Sequence, residues 1–384
     1  MDFTESEERT AVRDTVAAIG RRYGHRYFVE QARAGRHPEE LWSELVRGGF
    51  AGINIAEEHG GSGGDLYDLM IVAEELAAAG CPLMTLVVSP AICGPILARF
   101  GTADQRREWL TGIATGQERM AFAITEPDAG SNTHNLSTSA VRTPDGWRLK
   151  GQKYYISGVD DARSVLTVAR TGTDPATGRA RLSLFVVETD RAGLGVAPIG
   201  TQVLAAERQF TLSFDDVQLP AENLVGAEGG GLAQLFVGLN PERIMSAAVC
   251  AGIGRYALDK ATRYARERVV WNQPIGAHQA VAHPLAKAHI AVESARLLNQ
   301  KACVLHGQGA DCGAEANMAK YCASEAASAA LDAAIQAHGG NGLSDEFGLA
   351  DLWGLTRLYG IAPVSREMIL NYVSQHLLGL PRSY

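Results

Sequence analysis

The stretch Ala121-Phe-Ala-Ile-Thr-Glu-Pro-Asp-Ala-Gly-Ser131 runs from an apolar, strand-like piece into a tight turn. Pro127 fixes one backbone angle, Gly130 permits an unusual one, and Thr125 and Ser131 set hydroxyls around the bend. Such a turn leaves backbone N–H groups free to face a polar ligand, although on local physics alone an ordinary strand end is the commoner outcome. A second group, Asn240-Pro-Glu-Arg243, sets a carboxylate beside a guanidinium. Taken alone it reads as a helix start, with Asn240 as cap, Pro241 at the first position and Glu242 complementing the dipole. The Gly-rich run Glu58-His-Gly-Gly-Ser-Gly-Gly-Asp65 lies outside any strand–turn–helix unit, so no phosphate loop is expected there. The 6 cysteines (Cys81, Cys93, Cys250, Cys303, Cys312, Cys322) lack C-x-x-C spacing. They point away from zinc and disulfides, towards small core residues in a reducing cytoplasm.

The elements that must position these groups fall into parts of different texture. Residues 1–118 read as helical, with Thr4 and Glu7 in a capping-box pattern and helical periodicity over Leu69–Ala79 and Ala91–Phe100. Residues 119–226 carry short β-branched and aromatic runs (Arg163–Arg170, Leu182–Thr189, Phe210–Phe214) punctuated by Asp145-Gly146 and Gly193–Gly195, which predicts an antiparallel β-sandwich or barrel. Residues 227–384 return to long, Ala-rich helices over Glu242–Val269, His278–Gly307, Gly313–His338 and Ser365–Leu378, the pattern of a four-helix bundle.

With 384 residues the chain can bury a large core and form two or three domains. Its net charge of -8, without a long basic run, makes nucleic acid or an anionic membrane surface an unexpected partner. The acidic, polar start is not that of a signal or transit peptide. No apolar run approaches the roughly 18 residues that span a bilayer.

The order helices, β unit, helical bundle resembles the acyl-CoA dehydrogenase fold over almost the whole chain, and the Thr125–Ser131 block is similar to that family's T-E-P-x-A-G-S flavin signature. The resemblance implies FAD. Phe122, Ile124, Thr125 and Ser131 then line the flavin ring, with Ser131 also beside the substrate. Lys153-Tyr-Tyr-Ile-Ser-Gly158 resembles K-x-W-I-T-x-G, which puts Tyr155 near the isoalloxazine and Ser157 in hydrogen-bonding reach; without the other segments Tyr155 would read as a buried strand aromatic. Glu267-Arg-Val-Val-Trp-Asn-Gln-Pro-Ile275, followed by Gln279, resembles E-R-x-x-F-G-x-P-I…Q. Arg268 there matches an arginine that pairs with the FAD pyrophosphate of a neighbouring subunit, a role suited to its fork of donors. Trp271-Asn272 replaces the family's Phe-Gly on the adenine side. Gln336-Ala-His-Gly-Gly-Asn-Gly342 resembles Q-x-x-G-G-x-G, bringing Gln336 and Gly340 to the adenosine half; it reads equally as a helix C-cap. A site drawn from two chains implies a homo-oligomer, and the family's usual assembly is a tetramer.

The family reaction removes an α-proton while hydride leaves the β-carbon for flavin N5, and it needs a carboxylate base and donors to the thioester oxygen. Many members carry the base in a Y-E-G-T-S run. The ungapped match here, Leu358-Tyr-Gly-Ile-Ala-Pro-Val-Ser365, has Pro363 in the glutamate's place, with Ser365 keeping a hydroxyl that the resemblance assigns to binding the cofactor. The isovaleryl-CoA and long-chain types place the base earlier, in an E-R pair. The resemblance therefore implies Glu242 as base, with Asn240 and Arg243 towards the substrate. Pro363 has no N–H to offer the thioester carbonyl, and one such donor is worth roughly 3 kcal/mol. The leading expectation is an FAD-dependent acyl-thioester α,β-dehydrogenase that acts on an acyl-CoA or acyl-carrier-protein thioester and passes electrons to an electron-transferring flavoprotein. The alternatives are a flavin-dependent oxygenase or oxidase on the same fold, which Pro363 motivates, and a flavin-binding partner protein without turnover.

Overall fold

A computed structural model describes residues 4–382. Helix α1 (Glu7–Arg33) opens the chain, capped by the Ser6 hydroxyl, which accepts from Arg9 N at 3.3 Å. The cap is thus Ser6 and not Thr4, because Glu7 is the first helical residue. Helices α2 (Glu39–Arg47), α3 (Leu66–Ala78), α4 (Thr85–Val88), α5 (Gly94–Phe100), α6 (Ala103–Gln105) and α7 (Thr111–Thr115) complete the first part. The Gly-rich run leads into α3 from a loop, and its Asp65 forms a capping box with Asp68.

The middle part is one sheet of strands β1 (Met120–Ala123), β2 (Ser139–Thr143), β3 (Gly146–Ser157), β4 (Ser164–Thr173), β5 (Ala180–Glu188), β6 (Leu194–Ile199), β7 (Gln209–Leu219) and β8 (Leu224–Val225), in the order β6-β7-β3-β2-β4-β5-β8 with β1 on β4. It is not wholly antiparallel: β1 and β2 each meet β4 in parallel. That lets β1 leave the sheet directly into the Thr125–Ser131 turn. One face of the sheet closes on itself around Trp147, Phe185, Phe210 and Val217, with Trp147 edge-on to Phe185 at 5.1 Å. Leu166, Val168 and Leu184 on the other face pack against Ile92, Ile96 and Leu235 of the helical parts.

Helix α8 (Gly231–Glu267) is 37 residues long. A two-strand hairpin, β9 (Val269–Val270) and β10 (Gln273–Pro274), leads to α9 (Gln279–Gly307), α10 (Gly313–His338), α11 (Trp353–Ile361) and α12 (Arg366–Tyr372). Helix α8 starts well before Glu242, so Asn240 is no cap and Pro241 no first residue; both lie inside the helix. The last expected helix ends at Tyr372, with a wider turn over Val373–Leu377.

One apolar core runs through α1, α3, α8, α9 and α10. Small residues let these helices approach: a Cβ on Gly252 would stand 2.4 Å from the Glu74 carbonyl. Buried charges cross the same seam. Glu74 accepts from Arg255 at 2.6 Å and Arg296 at 2.7 Å, and Glu75 from Arg255 at 2.6 Å and from Arg13. Carboxylates this buried persist because each is matched by guanidinium donors. All six cysteines are free thiols, and only Cys322 is exposed.

Candidate active site

The signature turn is held from behind by a charge pair. Glu126 and Lys153 are both buried, and Lys153 Nζ lies 2.8 Å from Glu126 Oε1. The ammonium also donates to Ile124 O at 2.9 Å, and the carboxylate accepts from Ser137 N, Ser137 Oγ and Thr138 N. Burial pushes the Glu126 carboxyl up, but Lys153 and these donors together hold it well below the usual carboxylate range. The pair was not singled out in the sequence. Its signal was an acid and a base in two segments already matched to one ligand.

The pair also brings those segments together: Tyr154 N donates to Thr125 O at 2.9 Å. Phe122 and Ile124 are half-buried against the core, while Ser131 is exposed. Tyr155 is exposed, not a buried strand aromatic, and has a left-handed φ of 56°. Ser157 and Gln209 exchange side-chain hydrogen bonds at 2.9 and 3.2 Å. Gly130 differs from expectation, for its φ is not positive. What it provides is room, since a Cβ there would meet nothing within 4 Å.

A second group gathers at the far end of α8. Arg268 follows its last residue and is exposed, with no ion pair among the described residues. Trp271 and Asn272 form the hairpin apex, both left-handed (φ 54° and 64°), and Trp271 is 85% exposed. Asn tolerates this conformation better than most residues, which explains how it stands in for the family's glycine. Gln279 begins α9, Gln336 lies in the last turn of α10, Gly340 follows it, and all three are exposed. Tyr264 ties these pieces together: its ring stacks on His338 at 4.2 Å, and its hydroxyl accepts from Asn341 at 3.1 Å. No hydrogen bond or ion pair among the described residues joins this group to the Thr125 turn.

Glu242 lies in the interior of α8, away from the helix ends where a dipole would hold it. By accessible area it is half-buried, yet protein crowds it closely. The crowding sets its proton affinity: desolvation raises the carboxyl to about 7, against the opposing pull of Arg243 and Lys320. Arg243 turns back along its own helix, donating to Leu239 O at 3.0 Å and Asn240 Oδ1 at 3.2 Å. Pro241 has no N–H to offer the Val237 carbonyl one turn earlier. Lys320 of α10 donates to Val364 O at 2.6 Å, which brings the turn after α11 into the neighbourhood of Glu242. Pro363 is exposed in that turn. Ser365 caps α12, its hydroxyl accepting from Met368 N at 3.2 Å, so part of its capacity is spent on the helix. Lys320 was also missed; its signal was a lysine at helical spacing among Ala316, Ala319, Ala323 and Ala327.

Family models describe three consecutive portions of the chain: the N-terminal domain of acyl-CoA dehydrogenase over residues 6–117, the middle domain over 121–217 and the C-terminal domain over 229–378. The chain belongs to the acyl-CoA dehydrogenase family. It is 54% identical to the acyl-CoA dehydrogenase FadE12 of Mycobacterium tuberculosis, over all of this chain and 99% of that one. It is 32% identical to the mitochondrial long-chain specific acyl-CoA dehydrogenase of Sus scrofa, over 90% of this chain and 80% of the relative. The solved butyryl-CoA dehydrogenase of Megasphaera elsdenii superposes with a TM-score of 0.92 at 29% identity, covering 98% of this chain and all of the other. As a member of this family the protein is a flavin-dependent oxidoreductase that acts on CH–CH groups of acyl-CoA thioesters. Its relatives give the oxygenase alternative no support.

The residues present fit a flavin dinucleotide. A protruding aromatic (Tyr155), hydroxyls at Thr125 and Ser131, and open space over Gly130 suit the ring, and the exposed Arg268 with the open positions at Gly339 and Gly340 suits a phosphate-linked adenosine. Among the described residues no helix is long and apolar enough to cross a membrane, and no cluster of metal-ligating side chains occurs.

Proposed function

We propose that Glu242 is the general base that removes the α-proton of an acyl-CoA. The observation that carries this reading is its place in the interior of α8, where neither capping nor the helix dipole accounts for a carboxylate, with proton affinity near neutrality. A base with that affinity binds a proton more strongly than an ordinary carboxylate, yet half of it is still unprotonated at pH 7. FAD bound against Tyr155, Thr125, Ser131 and Ser157, with Phe122 and Ile124 beneath, supplies the hydride acceptor. Asn240 and Arg243 orient the substrate next to Glu242. Ser365 closes the site from the α12 side. Pro363 offers the thioester oxygen no N–H, so that oxygen finds its donors elsewhere.

Arg268, Trp271, Gln279, Gln336 and Gly340 serve the dinucleotide half of a neighbour's FAD in a homotetramer. Two features support this. The group stands apart from the flavin turn of its own chain, and α9 exposes Ile290, Leu297 and Val304 at seven-residue spacing, an apolar stripe suited to a second copy. Electrons leave to an electron-transferring flavoprotein, and six free thiols suit a reducing cytoplasm.

The deciding experiment is anaerobic flavin reduction across a panel of acyl-CoA thioesters by the native protein and by Glu242→Gln. The variant keeps FAD and loses about 10²–10⁴-fold in reduction rate. Undiminished bleaching removes Glu242 from the mechanism.

A further inference from the structure

Lys320 lies on the apolar face of α10, flanked by the buried Ala316, Ala319, Ala323 and Ala327, and is itself 1% exposed. Burying an ammonium among alanines is costly unless the charge has a task or a partner. Its Nζ donates to Val364 O at 2.6 Å. Val364 follows Pro363, so the turn that lacks an N–H at one residue has the carbonyl of the next pinned from below. Helix α10 packs along α8, the helix that bears Glu242. The groups around this ammonium come from several elements. Glu242, Arg243 and Cys250 come from α8, Glu367 from α12, and Tyr359 of α11 and Cys93 also sense Glu242.

We propose that Lys320 is a positioning residue for the dehydrogenation: one buried ammonium fixes the Ala362–Ser365 turn beside the substrate and sets a positive charge on the helix packed against the one that bears Glu242. The proposal rests on the reading of Glu242 as the base. Burial draws the ammonium down to about 8, while Cys250, Glu242 and Glu367 favour its charged form and Arg243 opposes it. The lysine is therefore mostly cationic near pH 7, where Glu242 is half titrated, and releases its own proton about one unit higher.

The test uses the FAD-loaded full-length protein and its Lys320→Met, Lys320→Gln and Lys320→Arg variants. Anaerobic flavin reduction is followed from pH 6 to 9 with an acyl-CoA that bleaches the native enzyme. Removing the charge in Lys320→Met moves the pH of half-maximal reduction up by about one unit, a loss of about fivefold at pH 7 that vanishes by pH 9, where the native lysine is neutral too. Lys320→Met also raises KM, because Val364 O loses its donor; Lys320→Gln shows the same displacement in pH with a smaller rise in KM, because it keeps a donor for Val364 O. Lys320→Arg keeps the native half-maximal pH. An unmoved profile in loaded Lys320→Met or Lys320→Gln overturns the proposal, as does loss of FAD from both, which marks a purely structural lysine. Glu242→Gln run in parallel separates the two readings. If it still bleaches, the assignment of the base has failed; if it is dead while the Lys320 profiles stay in place, only the role of Lys320 has failed.

Discussion

At the scale of single residues, the proposed chemistry turns on where Glu242 keeps its proton. Crowding by α8 and its neighbours raises the carboxyl from the usual carboxylate range to about 7. The active form of a base is the unprotonated one. Flavin reduction at low acyl-CoA should therefore climb about tenfold per pH unit below 7 and level off above it. Stopped-flow measurements from pH 5.5 to 8.5 check this, and a flat profile would contradict the assignment. The residues proposed to touch the flavin could be named from the sequence because their motif is local: Thr125, Ser131 and Tyr155 sit in short runs whose order is itself the signal. Glu126, Lys153 and Lys320 were not legible as a support, since what makes them matter is burial, and a charged letter in a sequence reads as surface until its partners are known.

At the scale of elements, α8 shows what a sequence hides. Gly238 and Pro241 are helix breakers by propensity, so the helix was expected to begin at Glu242. It runs through both from Gly231. Packing overrides propensity here: Gly238 lies against the Ile92 carbonyl, where a Cβ would come within 2.8 Å, and Pro241 is buried within the helix. Where periodicity was unbroken, as in Gly313–His338, the expected and observed bounds coincide. The β part was legible as strands but not as a topology, because the parallel contacts of β1 and β2 with β4 join segments whose pairing no local pattern encodes. The close seam between α8 and α3 is open to test. Gly252→Ala drives a methyl against the Glu74 carbonyl and Ala77 Cβ at 2.5 Å or less, backbone and side chain that α3 cannot withdraw separately. It should destabilise the protein by about 1–3 kcal/mol, read as a lower denaturation midpoint, with flavin contacts untouched.

At the scale of the whole molecule, the helical parts at the two ends of the chain share one core, and the Glu74–Glu75 charge cluster stitches them together. The exposed stripe Ile290, Leu297 and Val304 runs along the outside of that body. Leu297→Lys should reduce the proposed homo-oligomer to smaller species by light scattering and cause FAD to be lost on dilution; an unchanged mass would place the contact elsewhere. Helix α8 gives this arrangement a further meaning. Glu242 and Arg268 stand 26 residues apart on one continuous rod, about 39 Å at the helical rise. In the proposed assembly these two positions serve different catalytic centres. A lesion at Arg268 then harms the centre next door while sparing its own, whereas a lesion at Glu242 does the reverse. Two defective alleles of this kind, expressed together, would restore working centres between them, and the geometry of a single helix becomes a matter of inheritance.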